Sequence, residues 1–212
     1  KKGFDDEMIR KEFFKGIRYP YITNATPNKR HDGLNIARGA YAIDPTILKT
    51  EINEKNNAVF KLASLSKMNG FDSTDAHSAL FDANLTVKIL GLIKKRQPNT
   101  WDTFLKTANK LDTETIFKKE SIITLNEYFY GKSRLYLCAP LHPKHCIHPV
   151  YQWGQAIDLR SNVEPLINMS INELKNEMKK TPKFLRTIRS NKAPIILDAM
   201  YGMKVEPYNA LD

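Results

Sequence analysis

The 212-residue chain changes its hydrophobic periodicity once, around Arg96-Gln97-Pro98-Asn99, and that change constrains its architecture more than any other feature. Ahead of it, apolar residues recur at helical spacing. Met8, Ile9, Phe13, Phe14 and Ile17 predict a helix over residues 5–17, broken at Tyr19-Pro20-Tyr21. Leu34, Ile36, Ala37, Ala40 and Tyr41 predict a second, ended by Asp44-Pro45. Phe60, Leu62, Leu65 and Met68 predict a third, closed by Asn69-Gly70. A fourth covers residues 77–95, with Lys94, Lys95 and Arg96 where the helix dipole favours cations and Pro98 as its stop. Beyond Pro98 come one more helix over residues 100–110, β-rich runs at 121–125, 134–138 and 155–159, a helix at 171–180, and strands at 184–188 and 193–197. The chain therefore reads as α+β in two units, residues 1–97 helical and residues 98–212 a small β-barrel-like module. Helices with strong apolar faces ordinarily cover a sheet. No strand separates the first four, which predicts a partner sheet encoded upstream of Lys1.

A hydrophobic fraction of 42% and an aromatic fraction of 10% are those of a soluble globular protein with ample core. No apolar run approaches the length of a membrane span, which excludes a helical integral membrane protein. The start, Lys1-Lys2-Gly3-Phe4, has neither an initiator Met nor an apolar signal region, so the chain reads as processed or as part of a longer polypeptide. Two cysteines, Cys138 and Cys146, are too few for a disulfide framework and point to a reducing cytoplasm. The formal charge is +10, an excess of six from residues 1–96 and of four from 97–212. A positive field spread over both units suits a polyanion such as nucleic acid. A merely basic soluble protein has the same composition.

The stretch most suggestive of chemistry is Asp75-Ala76-His77-Ser78-Ala79-Leu80-Phe81-Asp82. Five helical residues turn through about 500°, leaving the His77 and Asp82 side chains roughly 140° apart, so they cannot share one face of a continuous helix. They converge when His77 occupies the turn before the helix and Asp82 its first turns. Ser73, Thr74 and Asp75 favour that arrangement as N-cap types. A loop imidazole leaning toward a helical carboxylate is a good geometry for a general base beside a metal-bound carboxylate. A surface histidine and a solvated aspartate are the plain alternative.

Three separated pieces stand in order: Phe4-Asp5-Asp6-Glu7, Val59-Phe60-Lys61-Leu62-Ala63-Ser64-Leu65, and His77…Asp82. In order and spacing they resemble the later motifs of the DEDDh exonucleases. In that superfamily four carboxylates hold two divalent metals, and the His of an H-x4-D element activates the attacking water. Arg96-Gln97-Pro98, Ala139-Pro140-Leu141 with His142-Pro143, Ile157-Asp158-Leu159 and Asn191-Lys192-Ala193-Pro194 narrow the resemblance to bacterial exodeoxyribonuclease I, over essentially the whole chain. The resemblance implies a 3′→5′ exonuclease that degrades single-stranded DNA to nucleoside 5′-monophosphates in DNA repair and recombination. It implies a cytoplasmic monomer with Mg²⁺ as cofactor and single-strand DNA-binding protein as a partner. It further implies that residues 1–97 are the C-terminal part of a ribonuclease-H-like exonuclease domain, and residues 98–212 an SH3-like β-barrel.

Position by position, the resemblance makes Asp5 and Asp82 the third and fourth metal-binding carboxylates and His77 the general base. Arg10 matches a position that contacts the DNA strand. Lys61 stands where the family usually has Arg, keeping the charge but losing the bidentate fork. Arg38 and Tyr21 match backbone contact and base stacking, and Lys110 extends that track. The family's first two metal ligands form an Asp-x-Glu, and none stands ahead of Asp5. The family's C-terminal helical domain begins about where this chain stops. The resemblance thus implies the middle of such an enzyme, inactive by itself, the alternative being a non-catalytic single-stranded DNA-binding remnant of one.

Other features have plainer readings. Asp6 and Glu7 are acids favoured by a first helical turn, and Lys94-Lys95-Arg96 is a solvated helix end. His142, His145, Cys146 and His148 do not make up a complete zinc pattern of C-x2-C with H-x3–5-H. Trp101, Trp153 and Tyr128-Phe129-Tyr130 offer rings that can stack on bases, although aromatics in a small β-module are more often core.

Overall fold

The computed structural model describes residues 4–25, 27–71, 78–142 and 150–210. Four helices precede Pro98: α1 (Phe4–Lys15), α2 (Gly33–Ile43), α3 (Leu62–Met68) and α4 (Ala79–Arg96). Local chemistry sets their ends. The Asp32 carboxylate caps α2, accepting from the N–H of Leu34 at 2.9 Å and of Asn35 at 3.2 Å. Asn69 ends α3, and Gly70 follows it in the left-handed region at φ +82°, which glycine adopts without strain. Pro98 stops α4 as expected, and it also opens α5 (Pro98–Leu105), because its missing N–H costs nothing at a first helical position. A further helix, α6 (Lys110–Lys119), is capped by Asn109, which accepts from the Asp112 N–H at 2.8 Å.

Five strands follow: β1 (Ile123–Phe129), β2 (Lys132–Pro140), β3 (Gly154–Asp158), β4 (Leu185–Ile188) and β5 (Ile195–Asp198). Short helices α7 (Glu164–Ile167) and α8 (Ile171–Glu177) lie between β3 and β4, and α9 (Ala199–Gly202) follows β5. The strands form one antiparallel sheet in the order β4-β3-β2-β1-β5. The barrel expectation is corrected here: β4 and β5 are the two edges of the sheet and do not pair, so the sheet is open. Among the described residues no helix is long and apolar enough to cross a membrane.

Strand alternation divides the sheet into two faces. Leu135, Ile195 and Leu197 point to the helices, joining Ile36, Ala37, Ala40, Ile89, Ile93 and Phe104 in one buried cluster. Ile123, Leu125, Tyr136, Cys138, Ala156 and Ile196 form a second cluster on the other face, beneath Phe117 of α6. The apolar face of α2 is thus covered by the five-stranded sheet that follows it in the chain. Gly39 permits this contact, since a Cβ there would lie 3.0 Å from the Ile195 Cγ2 methyl. Polar links tie the same seam: Ser133 Oγ donates to the Arg38 carbonyl at 2.8 Å, Asn35 Nδ2 donates to Ala193 O at 3.4 Å, and Thr107 Oγ1 donates to Pro194 O.

The second face also carries an ionic cluster. Asp158 is fully buried, with Oδ2 accepting from Arg160 (2.7 Å to Nη2) and Arg186 (3.0 Å to Nη2), and Oδ1 accepting from the Tyr208 hydroxyl at 2.6 Å. Arg186 Nη1 reaches Glu127 on β1 at 2.9 Å, and its guanidinium lies 3.7 Å from the Tyr136 ring centroid. Strands β3 and β4 and the C-terminal segment therefore meet at one carboxylate, and Arg186 extends the cluster to β1.

Candidate nucleic-acid interface

A cleft of about 610 Å³ opens between α2, α3 and α4, lined by the cations Lys29 and Arg30, by His31, and by apolar Phe60, Leu62 and Leu90. The Asp32 N–H donates to His31 Nδ1 at 3.0 Å, which ties the ring to the start of α2. Thr86 of α4 also lines the cleft, and its hydroxyl donates to the Asp82 carbonyl at 2.8 Å. Residues four apart share a helix face, so Asp82 sits on the cleft side of α4, in its first turn, where the dipole favours a carboxylate.

Two of the expected contact residues pair with each other. The Arg10 guanidinium lies 5.2 Å from the centroid of Tyr21, whose ring packs edge-on against Tyr19 at 5.9 Å. Arg10 Nε is buried without a hydrogen-bond partner among the described residues, while Tyr21 is 49% exposed. The turn that follows Tyr21 reaches the cleft, because Arg30 Nη1 donates to Thr23 Oγ1 at 3.4 Å.

Arg38 stands on the other side of Phe60 in an aromatic box. Its guanidinium is 3.6 Å from the Tyr128 centroid and 5.9 Å from that of Phe60. Tyr41, Phe60 and Tyr128 meet edge to face at 5.4 and 5.9 Å. Burial pulls the Arg38 pKa below its ordinary value, opposed by Tyr128 and Asp32. The group stays cationic at neutral pH. Phe60 belongs to both box and cleft, so the two form one continuous surface of cations and rings. Tyr128 was read from the sequence only as one of several rings able to stack on bases, and Phe60 was not read as a contact residue. The available signal was Phe60 directly before Lys61, and Tyr128 opening an aromatic run.

Lys61 is exposed just ahead of α3, its carbonyl accepting from the Leu65 N–H at 2.9 Å. Lys110 begins α6 and pairs with Glu114 at 3.4 Å. The same helix reaches the cleft edge through a 3.6 Å ion pair between Asp112 and Lys29. His77 and most of the His142–His148 cluster lie outside the described residues. Asp5 lies in the first turn of α1, its side chain likewise outside the description. Among the described residues no three His, Cys, Asp or Glu side chains converge as a metal-holding group. The arrangement can hold a polyanion by charge and flat groups by stacking.

No family model matches the chain. Its sequence is 33% identical over 175 residues to the exodeoxyribonuclease I of Buchnera aphidicola from Acyrthosiphon pisum, covering 79% of this chain and 41% of the relative. It is 25% identical over 211 residues to that of Escherichia coli K12, covering 92% and 43%. The fold matches the crystal structure of E. coli Exonuclease I in complex with a dT13 oligonucleotide, with a TM-score of 0.73 and 24% identity over 98% of this chain and 46% of that one. Also matched are an ExoI/SSB-Ct complex, with a TM-score of 0.71, and the zinc ion bound form of the E. coli ExoI-ssDNA complex, with a TM-score of 0.70. The resemblance read from the sequence is thus borne out by homologues named exodeoxyribonuclease I. The chain spans less than half the length of the curated relatives it matches.

Proposed function

We propose that this chain is the central segment of an exodeoxyribonuclease I, a 3′→5′ exonuclease acting on single-stranded DNA. What supports this most is that the curated relatives matched over this segment carry that name. In this reading residues 1–97 complete a ribonuclease-H-like exonuclease domain, and residues 98–212 are an SH3-like module whose sheet remains open. The strand follows Arg10 and Tyr21, the Lys29–Arg30 cleft, and the Arg38–Tyr128 box, with Lys110 beside that path. The protein works as a cytoplasmic monomer and meets the C-terminus of single-strand DNA-binding protein.

The donor chemistry fits a magnesium site, since Asp5 and Asp82 are hard oxygen ligands, and Mg²⁺ takes one or two carboxylates alongside phosphate oxygens. When bound, the two ions supply Lewis-acid stabilisation at the attacking and leaving oxygens. His77 takes the proton of the attacking water on an imidazole nitrogen. Arg10 and Lys61 hold the terminal phosphates, and Arg38 with Tyr128 positions the strand behind them.

The test uses the full-length protein and a 3′-labelled single-stranded oligonucleotide. Mg²⁺-dependent release of nucleoside 5′-monophosphates, abolished by His77→Ala with binding retained, is the expected result. Binding without release by the full-length protein establishes the non-catalytic remnant instead. Failure to bind single strands overturns both readings.

A further inference from the structure

We infer that the tip of the β1–β2 hairpin, Phe129-Tyr130, is a stacking wedge for unpaired nucleobases of single-stranded DNA, an inference that rests on the reading proposed above. Phe129 is 54% exposed and Tyr130 82% exposed, and neither belongs to either buried cluster. Their ring centroids lie 4.2 Å apart at an interplanar angle of 58°, so the pair presents adjoining aromatic surface to solvent.

The local backbone argues against a purely structural role. Tyr130 and Gly131 have φ of +49° and +79°, and a two-residue turn with both φ values positive prefers Asn-Gly. A bulky ring at its first position works against the turn that it forms. Gly131 meets the demand for a small residue, because a Cβ there would run into the Asn57 side chain. The tip is therefore seated on the 51–58 loop, at the end of the strand that places Tyr128 under Arg38.

Charge selects the occupant. Lys132 stands opposite Phe129 in the ladder and is exposed, and Arg134 Nη1 donates to the Phe129 carbonyl at 2.9 Å. The carboxylate on this strand, Glu127, is engaged by Arg186 at 2.9 Å. Rings flanked by cations fit a strand whose bases stack while its phosphates meet lysine and arginine. An apolar protein surface would leave those cations without counter-charge.

Tyr130→Asn separates the two roles, since it installs the preferred turn residue and removes the ring. In the full-length protein, fluorescence anisotropy is expected to show oligo-dT affinity about fivefold weaker or more, in line with the worth of one stacked base. The thermal midpoint should hold or rise. Affinity for an abasic oligonucleotide of equal length, and the slope of log K against log salt, should not change. Equal dT affinity in the variant, or an equal loss on the abasic strand, overturns the wedge while leaving the exonuclease reading intact. No dT binding by the wild-type full-length protein overturns the reading and the wedge together.

Discussion

Replacing Asp158 with alanine should destabilise the protein more than any other single surface or core truncation on the second face of the sheet. The carboxylate is fully buried and accepts hydrogen bonds from Arg160, Arg186 and Tyr208. Arg186 has a side chain only 13% exposed, and without Asp158 it retains one partner, Glu127. The Tyr208 hydroxyl, which burial and Asp158 hold firmly protonated, loses its acceptor in the interior. Removing one member of a buried ion pair costs about 3–5 kcal/mol, because the surviving charge keeps its desolvation penalty. In a domain of this size each kcal/mol shifts the melting midpoint by about 2–4 °C, giving a loss of roughly 6–20 °C. Tyr208→Phe is the internal control, since it leaves both arginines paired and should cost less, about 1.5–3 kcal/mol for a hydrogen bond to a charged group. Urea unfolding followed by far-ultraviolet circular dichroism measures both. A loss below 1 kcal/mol for Asp158→Ala with an unchanged m-value, or a larger loss for Tyr208→Phe, refutes the idea that this carboxylate clamps the sheet.

Glu127 should act in the opposite sense with pH. Burial raises its carboxyl pKa against the pull of Arg186, so its contribution is fully present below the ordinary carboxylate range and is lost as pH rises through the raised value. Glu127→Gln should therefore gain stability relative to wild type between pH 4 and pH 7 in paired urea titrations, and a relative loss contradicts the reasoning. Burial also pushes the Cys138 thiol up to about 12, so peptide mapping after iodoacetamide treatment at pH 8 should find it unmodified in the native protein and labelled only in urea. Arg38→Lys keeps the charge but loses the planar group over Tyr128, which should weaken oligo-dT binding by about 0.5–2 kcal/mol at an unchanged salt slope; equal affinity counts against the box. Residues 1–97 expressed alone should bind a hydrophobic dye and lack a cooperative melt, because Ile36, Ala37 and Ala40 lose Leu135, Ile195 and Leu197.

Much of the secondary structure was legible because its signals are local. Asp32, Asn69-Gly70 and Pro98 mark helix ends by capping and proline chemistry whatever surrounds them. β1 was read too short, because Asn126 and Glu127 are strand-poor residues that interrupt the β-rich run, and their partners, Ser133 and Arg186, come from elsewhere in the chain. α6 escaped because its apolar face is narrow: Phe117 and Ile116 pack inward, while Leu111 is 70% exposed. The partner for α2 was sought upstream, whereas part of it lies downstream in the sheet. No periodicity reveals a contact between residues 39 and 195. The candidate site divides the same way. Arg10, Tyr21, Arg38, Lys61, Lys110, Asp82, Asp5 and His77 came from ordered motifs, while the placing of Phe60 and Tyr128 around Arg38 came only from the tertiary fold.

The parity of β1 joins stability to the site. Along this strand Leu125, Glu127 and Phe129 face one way, and Thr124, Asn126 and Tyr128 the other. Glu127 is fixed by Arg186, itself fixed by Asp158, and this pins the register with which Tyr128 arrives beneath Arg38. A slip of one residue would invert the strand, offering Glu127 or Phe129 to Arg38 and turning Tyr128 toward the ionic cluster. A phenylalanine beneath Arg38 keeps a cation–ring contact, whereas a glutamate would neutralise the cation that the strand's phosphate needs. The clamp on the far face therefore sets the charge of the interface on the near one, and the sheet is part of the binding apparatus, not an appendage to the helices.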